Sequence, residues 1–318
     1  MKRRKLCVLA LISLLTLALL AGCGTSSGET DYPKENISII VPYDAGGATD
    51  LLARLIAQKM DDALDVSVVV ENKSGGTGAV GCNYGSSAEG DGYTVTMFTT
   101  EASTAHLLGI ADYSYEDFTP VALVAVGPSS LAVPADSPFD TLEEFVDYAK
   151  EHPGELQIAS MAPGGIWRIA CDKFISEAGL DVTVVPYDGG GTAIPAVLGN
   201  QVDAVSVGFS EVLSYVKNGD LKLLAAGGSE APSAYPEAKT FADYGYDVSV
   251  SAYWAFGVPK DTPEEIVDAL EAILDEAINN DEVDQFLIEQ GFSKNYLVKD
   301  DFAQWLEDTD TVFKEVLN

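Results

Sequence analysis

Val41-Pro42-Tyr43-Asp44-Ala45-Gly46-Gly47 recurs further along the chain as Val185-Pro186-Tyr187-Asp188-Gly189-Gly190-Gly191. Each copy follows a short aliphatic run, Ile37–Val41 and Val182–Val185, and each precedes a stretch with helical character. A third loop, Ser160-Met161-Ala162-Pro163-Gly164-Gly165, joins a strand to a helix in the same way. Glycines at the carboxyl end of a strand let the chain turn tightly and bring bare N–H groups near a ligand. The helix start that follows leaves several amides unpaired and carries about half a positive charge. Two such loops facing each other across a cleft are expected to grip a carboxylate without lysine or arginine. Gly-rich turns are also the ordinary way strands meet helices, and a single loop would support only that plainer reading. Two near-identical copies in different lobes favour the ligand.

Outward from these loops the chain alternates β-branched runs with amphipathic stretches, the pattern of α/β lobes with largely parallel sheets. Strands are expected at 37–41, 66–70, 93–98, 121–126, 130–133, 156–159, 182–185, 204–207, 221–225 and 254–258. Helices are expected at 49–60, 142–150, 166–178, 193–198, 210–216, 263–279, 281–290 and 299–316. Thr262 is read as the cap of the helix at Pro263, and Pro195 as part of the first turn of the helix after Thr192, with Gly199 just past its end. Apolar segments near Pro120–Pro134 and Tyr253–Pro263 read as two crossings between lobes. The first lobe is then 32–126 plus 254–318, the second 127–253, with a ligand cleft and a two-strand hinge between them.

The amino terminus supplies an address. Met1-Lys2-Arg3-Arg4-Lys5 is basic, Leu6–Leu20 is apolar but for Ser13 and Thr16, and Leu20-Ala21-Gly22-Cys23 has the form of a lipobox. Residues 1–22 are read as a signal peptide cut before a lipidated Cys23, since the apolar run is shorter than the roughly 20 residues a membrane span needs. Residues 23–31 are read as a flexible tether. The net charge is −32 and becomes −36 once Lys2, Arg3, Arg4 and Lys5 leave with the leader. That excess repels nucleic acid, which is excluded as a partner. Cys82 and Cys171 are expected as buried free thiols in different lobes, not as a disulfide. His106 and His152 stand far apart, so no Cys/His metal site and no cofactor is expected.

Weaker constellations have two readings each. Gly76-Thr77-Gly78-Ala79-Val80-Gly81 matches GxGxxG, but Glu71-Asn72-Lys73-Ser74-Gly75 delay it after its strand. A helix–strand packing loop fits it better than a dinucleotide site. Asp44 and Asp188 either hold a ligand ammonium or cation, or accept N–H bonds in their own turns. Arg168 either pairs with a carboxylate or is solvated, and Trp167 either walls the pocket or belongs to the core. Asp203 has the position of a structural residue. No nucleophile–base pair is evident in the sequence, and an enzyme is not expected.

At these same residues the chain resembles the substrate-binding proteins of tripartite tricarboxylate transporters, the Bug family. The landmarks are Tyr32-Pro33, Ile40–Asp50, Val70–Gly75, Asp91-Gly92-Tyr93-Thr94, Asp117–Val121, Val185-Pro186-Tyr187, Gly199–Asp203 and Trp254–Pro263. The resemblance implies an α/β, two-lobed type II periplasmic-binding fold that closes on a small organic acid or amino acid, and a two-subunit membrane permease as partner. It also implies that amides around Gly46 and Gly47, with the second-lobe loops, hold the carboxylate. Two departures stand out. Ala162, Gly164, Gly165 and Arg168 occupy positions where the family often has Gly-x-Gly-Ser…His, and Asp188 stands where Lys is common. Asp188, with Asp44, is expected to disfavour a polyanion such as citrate and to favour a monoacid or an amine-bearing ligand.

The site expected from residues and resemblance together is Tyr43, Asp44, Gly46, Gly47, Thr49, Gly164, Gly165, Trp167, Arg168, Tyr187, Asp188, Gly189, Gly190 and Thr192. The chain reads as a monomeric, membrane-anchored binding lipoprotein. A ligand sensor for a membrane receptor kinase is the alternative on the same fold, and an exported enzyme is a more distant one.

Overall fold

The computed structural model describes residues 32–76, 78–163 and 165–317. The leader, the tether, Cys23 and Gly164 lie outside the described residues. All elements below belong to the unit Pro33–Asn318.

Two mixed sheets form the frame. The first holds six strands: β1 (Ile37–Val41), β2 (Val68–Asn72), β3 (Thr94–Thr99), β4 (Phe118–Pro128), β10 (Ser251–Pro259) and β11 (Ser293–Val298), in the order β11-β4-β10-β3-β1-β2. The second holds β5 (Ser130–Pro134), β6 (Gln157–Met161), β7 (Thr183–Tyr187), β8 (Ala204–Val205) and β9 (Leu221–Ala226), in the order β7-β6-β8-β5-β9. In the first sheet β1 pairs parallel with β2 and β3, while β10 pairs antiparallel with β3 and β4, and β11 antiparallel with β4. In the second, β6 runs parallel to β7 and β8, but β5 runs antiparallel to β8 and β9. The expectation of largely parallel sheets is therefore corrected. Parallel pairing is confined to the strand–helix–strand parts, and the segments that travel between the sheets pair antiparallel.

The helices are α1 (Ala48–Ala63), α2 (Ala79–Ser86), α3 (Glu101–Thr104), α4 (Leu142–Glu151), α5 (Ile166–Ala178), α6 (Gly190–Leu198), α7 (Phe209–Asn218), α8 (Glu264–Ile278), α9 (Asp281–Glu289) and α10 (Lys299–Leu317). Their apolar faces repeat every three or four residues. In α8, Val267, Leu270, Leu274, Ala277 and Ile278 are buried while Glu264 and Glu265 sit in the first turn, where the helix dipole favours acids. Thr262 does not cap this helix. Its hydroxyl donates to Pro259 O at 2.7 Å, and Pro263 itself is the N-cap. Pro195 lies inside α6, because that helix begins at Gly190, three residues earlier than the expected 193.

Three elements had no expectation: α2, α3 and β11. The GxGxxG segment runs into helix α2, and Gly81 and Gly85 within that helix serve contact. A Cβ on Gly81 would lie 2.6 Å from Pro42 Cα, and one on Gly85 would clash with Thr96 Oγ1. The motif thus seats α2 against the first sheet, as the packing reading held.

Aromatic packing joins the layers. Phe98 stacks on Phe118 at 5.1 Å and meets Tyr253 edge-on at 6.2 Å, within a cluster that includes Phe302 and Leu306 of α10. Further along the same helix, Phe313 is buried in the cluster of Phe145, Phe174 and Phe241 beside the second sheet. One helix from the carboxyl end therefore contributes to both cores.

Cys82 and Cys171 are free and buried. Burial pushes both thiols up to about 12. In a chain begun at Gly24, neither should react with a thiol-specific chromogenic disulfide at pH 8 while folded, and both should react in denaturant; the absorbance change counts them.

Candidate functional site

The first glycine loop is held by a carboxylate of its own helix. Asp50, in the first turn of α1, is 1% exposed. Its Oδ2 accepts the Gly46 N–H at 2.8 Å and Arg54 Nε at 2.9 Å, and its Oδ1 accepts Asn72 Nδ2 at 2.8 Å. The same Asn72 amide donates to Tyr43 O at 3.0 Å. Burial opposes the charge on Asp50, but the bonds from Arg54, Gly46 and Asn72 outweigh it and hold the carboxyl below its ordinary value.

The second loop is held by the same kind of device from farther away. Glu211 of α7 accepts Gly190 N–H through Oε2 and Gly208 N–H through Oε1, both at 3.0 Å. A Cβ on Gly190 would fall 2.2 Å from that Oε2, so this close approach requires glycine. Thr192 Oγ1 turns back to Gly189 O at 3.1 Å. The expectation that Gly46 and Gly190 present free amides is corrected: each is sealed by a carboxylate of the chain.

The amides that stay open lie one residue or more further on. The first intrahelical bond of α1 runs from Leu51 N–H to Gly47 O, and no side chain caps that end. Among the described residues, the Ala48, Thr49 and Asp50 amides therefore have no partner. Helix α5 begins likewise: Ile169 N–H bonds Gly165 O, and the Gly165 cap has no side chain to offer. The start of the helix that follows the third loop is therefore free of a side-chain cap.

Both open helix starts line one cavity of about 300 Å3. Tyr43, Thr49, Thr99, Thr100, Glu101, Ala252, Tyr253 and Trp254 come from the first-sheet side, and Met161, Ile166 and Trp167 from the second. Trp254 Nε1–H donates to Thr49 Oγ1 at 2.9 Å while its ring stacks on Phe292 at 4.1 Å. That bond fixes the first turn of α1 against β10. Trp167 lies over Gly208, where a Cβ would be 2.7 Å from its Cζ2. Tyr43 Oη donates to Glu101 Oε2 at 2.7 Å, and burial followed by the Glu101 charge pushes this phenol far above its ordinary value.

Of the expected site residues, Tyr43, Thr49 and Trp167 line the cavity. Arg168 does not line it. Its Nε is bound to both carboxylate oxygens of Asp172, at 2.7 and 2.9 Å. Asp44 and Asp188 are exposed and also outside the lining, as are Gly46, Gly47, Gly165, Tyr187, Gly189, Gly190 and Thr192. Glu101, Trp254 and Tyr253 were not anticipated. Trp254 opens the family-like segment Trp254–Pro263, whereas Glu101 opens a four-residue helix that leaves no periodic signal. Another cavity, of about 280 Å3, gathers Asp136, Glu155 and Asp203, whose charges would repel an acid. Asp203 is structural there, accepting Gln157 N–H at 2.8 Å. Among the described residues no group of three or more His, Cys, Asp or Glu could hold a metal ion, and no helix is long and apolar enough to cross a membrane.

Two mixed sheets that meet at a cavity lined by uncapped helix starts define a solute-binding receptor of the periplasmic type. The chain belongs to the tripartite tricarboxylate transporter family receptors, whose family model matches residues 52–318. It is 30% identical to the protein BugT of Bordetella pertussis over 276 residues, 85% of either chain. A TctC solute-binding protein from Polaromonas, solved without ligand, superposes with a TM-score of 0.84 at 28% identity, covering 90% of this chain and 99% of that one. MatC from Rhodopseudomonas palustris, solved with bound malate, gives 0.68 at 27% identity, covering 90% of this chain and 100% of that one. The fold is thus the two-lobed type II periplasmic-binding fold.

Asp50 supplies the test of the loop's construction. Asp50→Asn should lower the unfolding free energy by about 2 kcal/mol, since several charge-assisted bonds are lost at a buried position. The folded carboxyl lies below its unfolded value of about 3.9, so this stability is present above pH ~4 and is lost as pH falls through the folded value. Urea titrations between pH 7 and pH 2 should show the wild-type advantage shrink toward zero on acidification.

Proposed function

We propose that the chain captures a small carboxylate-bearing solute in the 300 Å3 cavity and hands it to a two-subunit membrane permease. The observation that carries this reading is the pair of uncapped helix starts, α1 and α5, lining one cavity from different sheets. Partial positive charge from both ends and the free amides of Ala48–Asp50 suit an acid group. Tyr43, Trp167 and Trp254 supply apolar area for the rest of a small molecule. The malate found in MatC supports a carboxylate ligand.

The proposed lobes are 32–126 plus 254–318, and 127–253. Closure bends the antiparallel pair where Ser251 faces Pro128 and Ala252 faces Gly127, next to the cavity wall at Ala252–Trp254. The proposal includes export, cleavage before Cys23 and lipid attachment there, with the acidic body held at the membrane by its tether.

Titration calorimetry against small mono- and dicarboxylic acids and amino acids should find at least one ligand. At one hundred times its Kd, that ligand should add about 2.7 kcal/mol of stability. Trp167→Ala should weaken it about tenfold or more. Indifference to every small organic acid would overturn the reading. In the export host, Cys23→Ser should move the protein from the membrane fraction to the soluble extracytoplasmic fraction; unchanged fractionation would remove the lipid anchor from the proposal.

A further inference from the structure

Among the described residues one acid lines the cavity, and no lysine, arginine or histidine does. Glu101 comes after β3 with only Thr100 between, and opens α3. Its Oε2 is the meeting point of two hydroxyl groups, the Tyr43 phenol at 2.7 Å and Thr99 Oγ1. Tyr43 is kept a donor by its burial and by the Glu101 charge. These two bonds fix the carboxylate in place. Oε1 accepts no hydrogen bond from the described residues and is left for a ligand. Trp254, Tyr253 and Trp167 line the same cavity and bring no positive charge to balance this carboxylate.

A site built in this way is bipolar. The start of α1 at Thr49 offers amides and positive potential, and Glu101 offers a fixed negative charge with a vacant acceptor. A dicarboxylate that placed one acid group at the helix start would bring its other charge into a small cavity that already holds a carboxylate and no base. Such repulsion is strong where water is excluded. An ammonium in the same place supplies three donors and the opposite charge. We infer that Glu101 selects for an acid that also carries a protonated amine, an amino-acid-type zwitterion, over a dicarboxylate of equal length. This rests on the carboxylate-binding reading of the same cavity and assigns to Glu101 the role first expected of Asp44 and Asp188.

The test is a set of matched ligands measured by calorimetry on wild type and on Glu101→Gln. Neutral L-amino acids, 4-aminobutanoate and 5-aminopentanoate form one arm; succinate, glutarate and adipate form the other. On wild type the best amine ligand should bind at least about tenfold tighter than any of the three dicarboxylates. In Glu101→Gln that ligand should lose about tenfold or more, while the dicarboxylates hold or gain. Wild type preferring a dicarboxylate overturns the inference and leaves the carboxylate reading intact, and this comparison stands even if the variant does not fold. Amine preference that survives in folded Glu101→Gln also overturns the role of Glu101. No binding in either arm overturns the inference, and indifference to every other small organic acid as well removes the underlying reading.

Discussion

The antiparallel pairing of β4 with β10 sets the position of nearly everything at the cavity. Trp254 faces Ala125 across this pair and Thr99 across the next, so β10 is clamped on both sides. From there the Trp254 indole reaches Thr49, and the start of α1 is fixed relative to the sheet. The register slips twice along the pair, at Trp254/Ala255 and at Phe256/Gly257, and such irregularities bend a strand and increase its local twist. Gly127 is needed beside it, because a Cβ there would press on the Trp254 ring at 3.0 Å.

An acidic chain has many carboxylates to place, and two of them act here as internal templates. Asp50 and Glu211 do for Gly46 and Gly190 what a bound anion would do, satisfying a backbone donor at a strand-to-helix turn. The near-repeat is therefore a repeat of loop construction. One copy still delivers an open helix start to the cavity, through Thr49; the other does not line it.

That difference explains how far the sequence could be read. Strand and helix positions followed from periodicity, and the two-sheet α/β body with it. The start of α1 was legible too, because glycines followed by a helix leave unpaired amides whatever else happens. Which amides stay open was not legible. Asp50 sits four residues after Gly46, close enough for its bond to be foreseen, but Glu211 is 21 residues from Gly190 and only the tertiary fold brings it there. Strand β11 escaped notice because Ser293-Lys294-Asn295-Tyr296-Leu297-Val298 is half-buried along its length and carries no alternation. Glu101 escaped for a different reason: a side chain that matters through one cavity leaves no mark on its neighbours.

Helix α10 limits what closure between the sheets can look like. Phe302 and Leu306 are buried in the first core and Phe313 in the second, so the helix ties the two beyond the strand pair. A hinge made of two strands alone could bend in several directions. A helix anchored at both ends resists any motion that separates its two buried faces and leaves motions that pivot about its length. The proposed closing movement is therefore narrow in direction, and Trp167 and Trp254, which line the cavity from opposite sheets, are the rings such a pivot would carry toward each other.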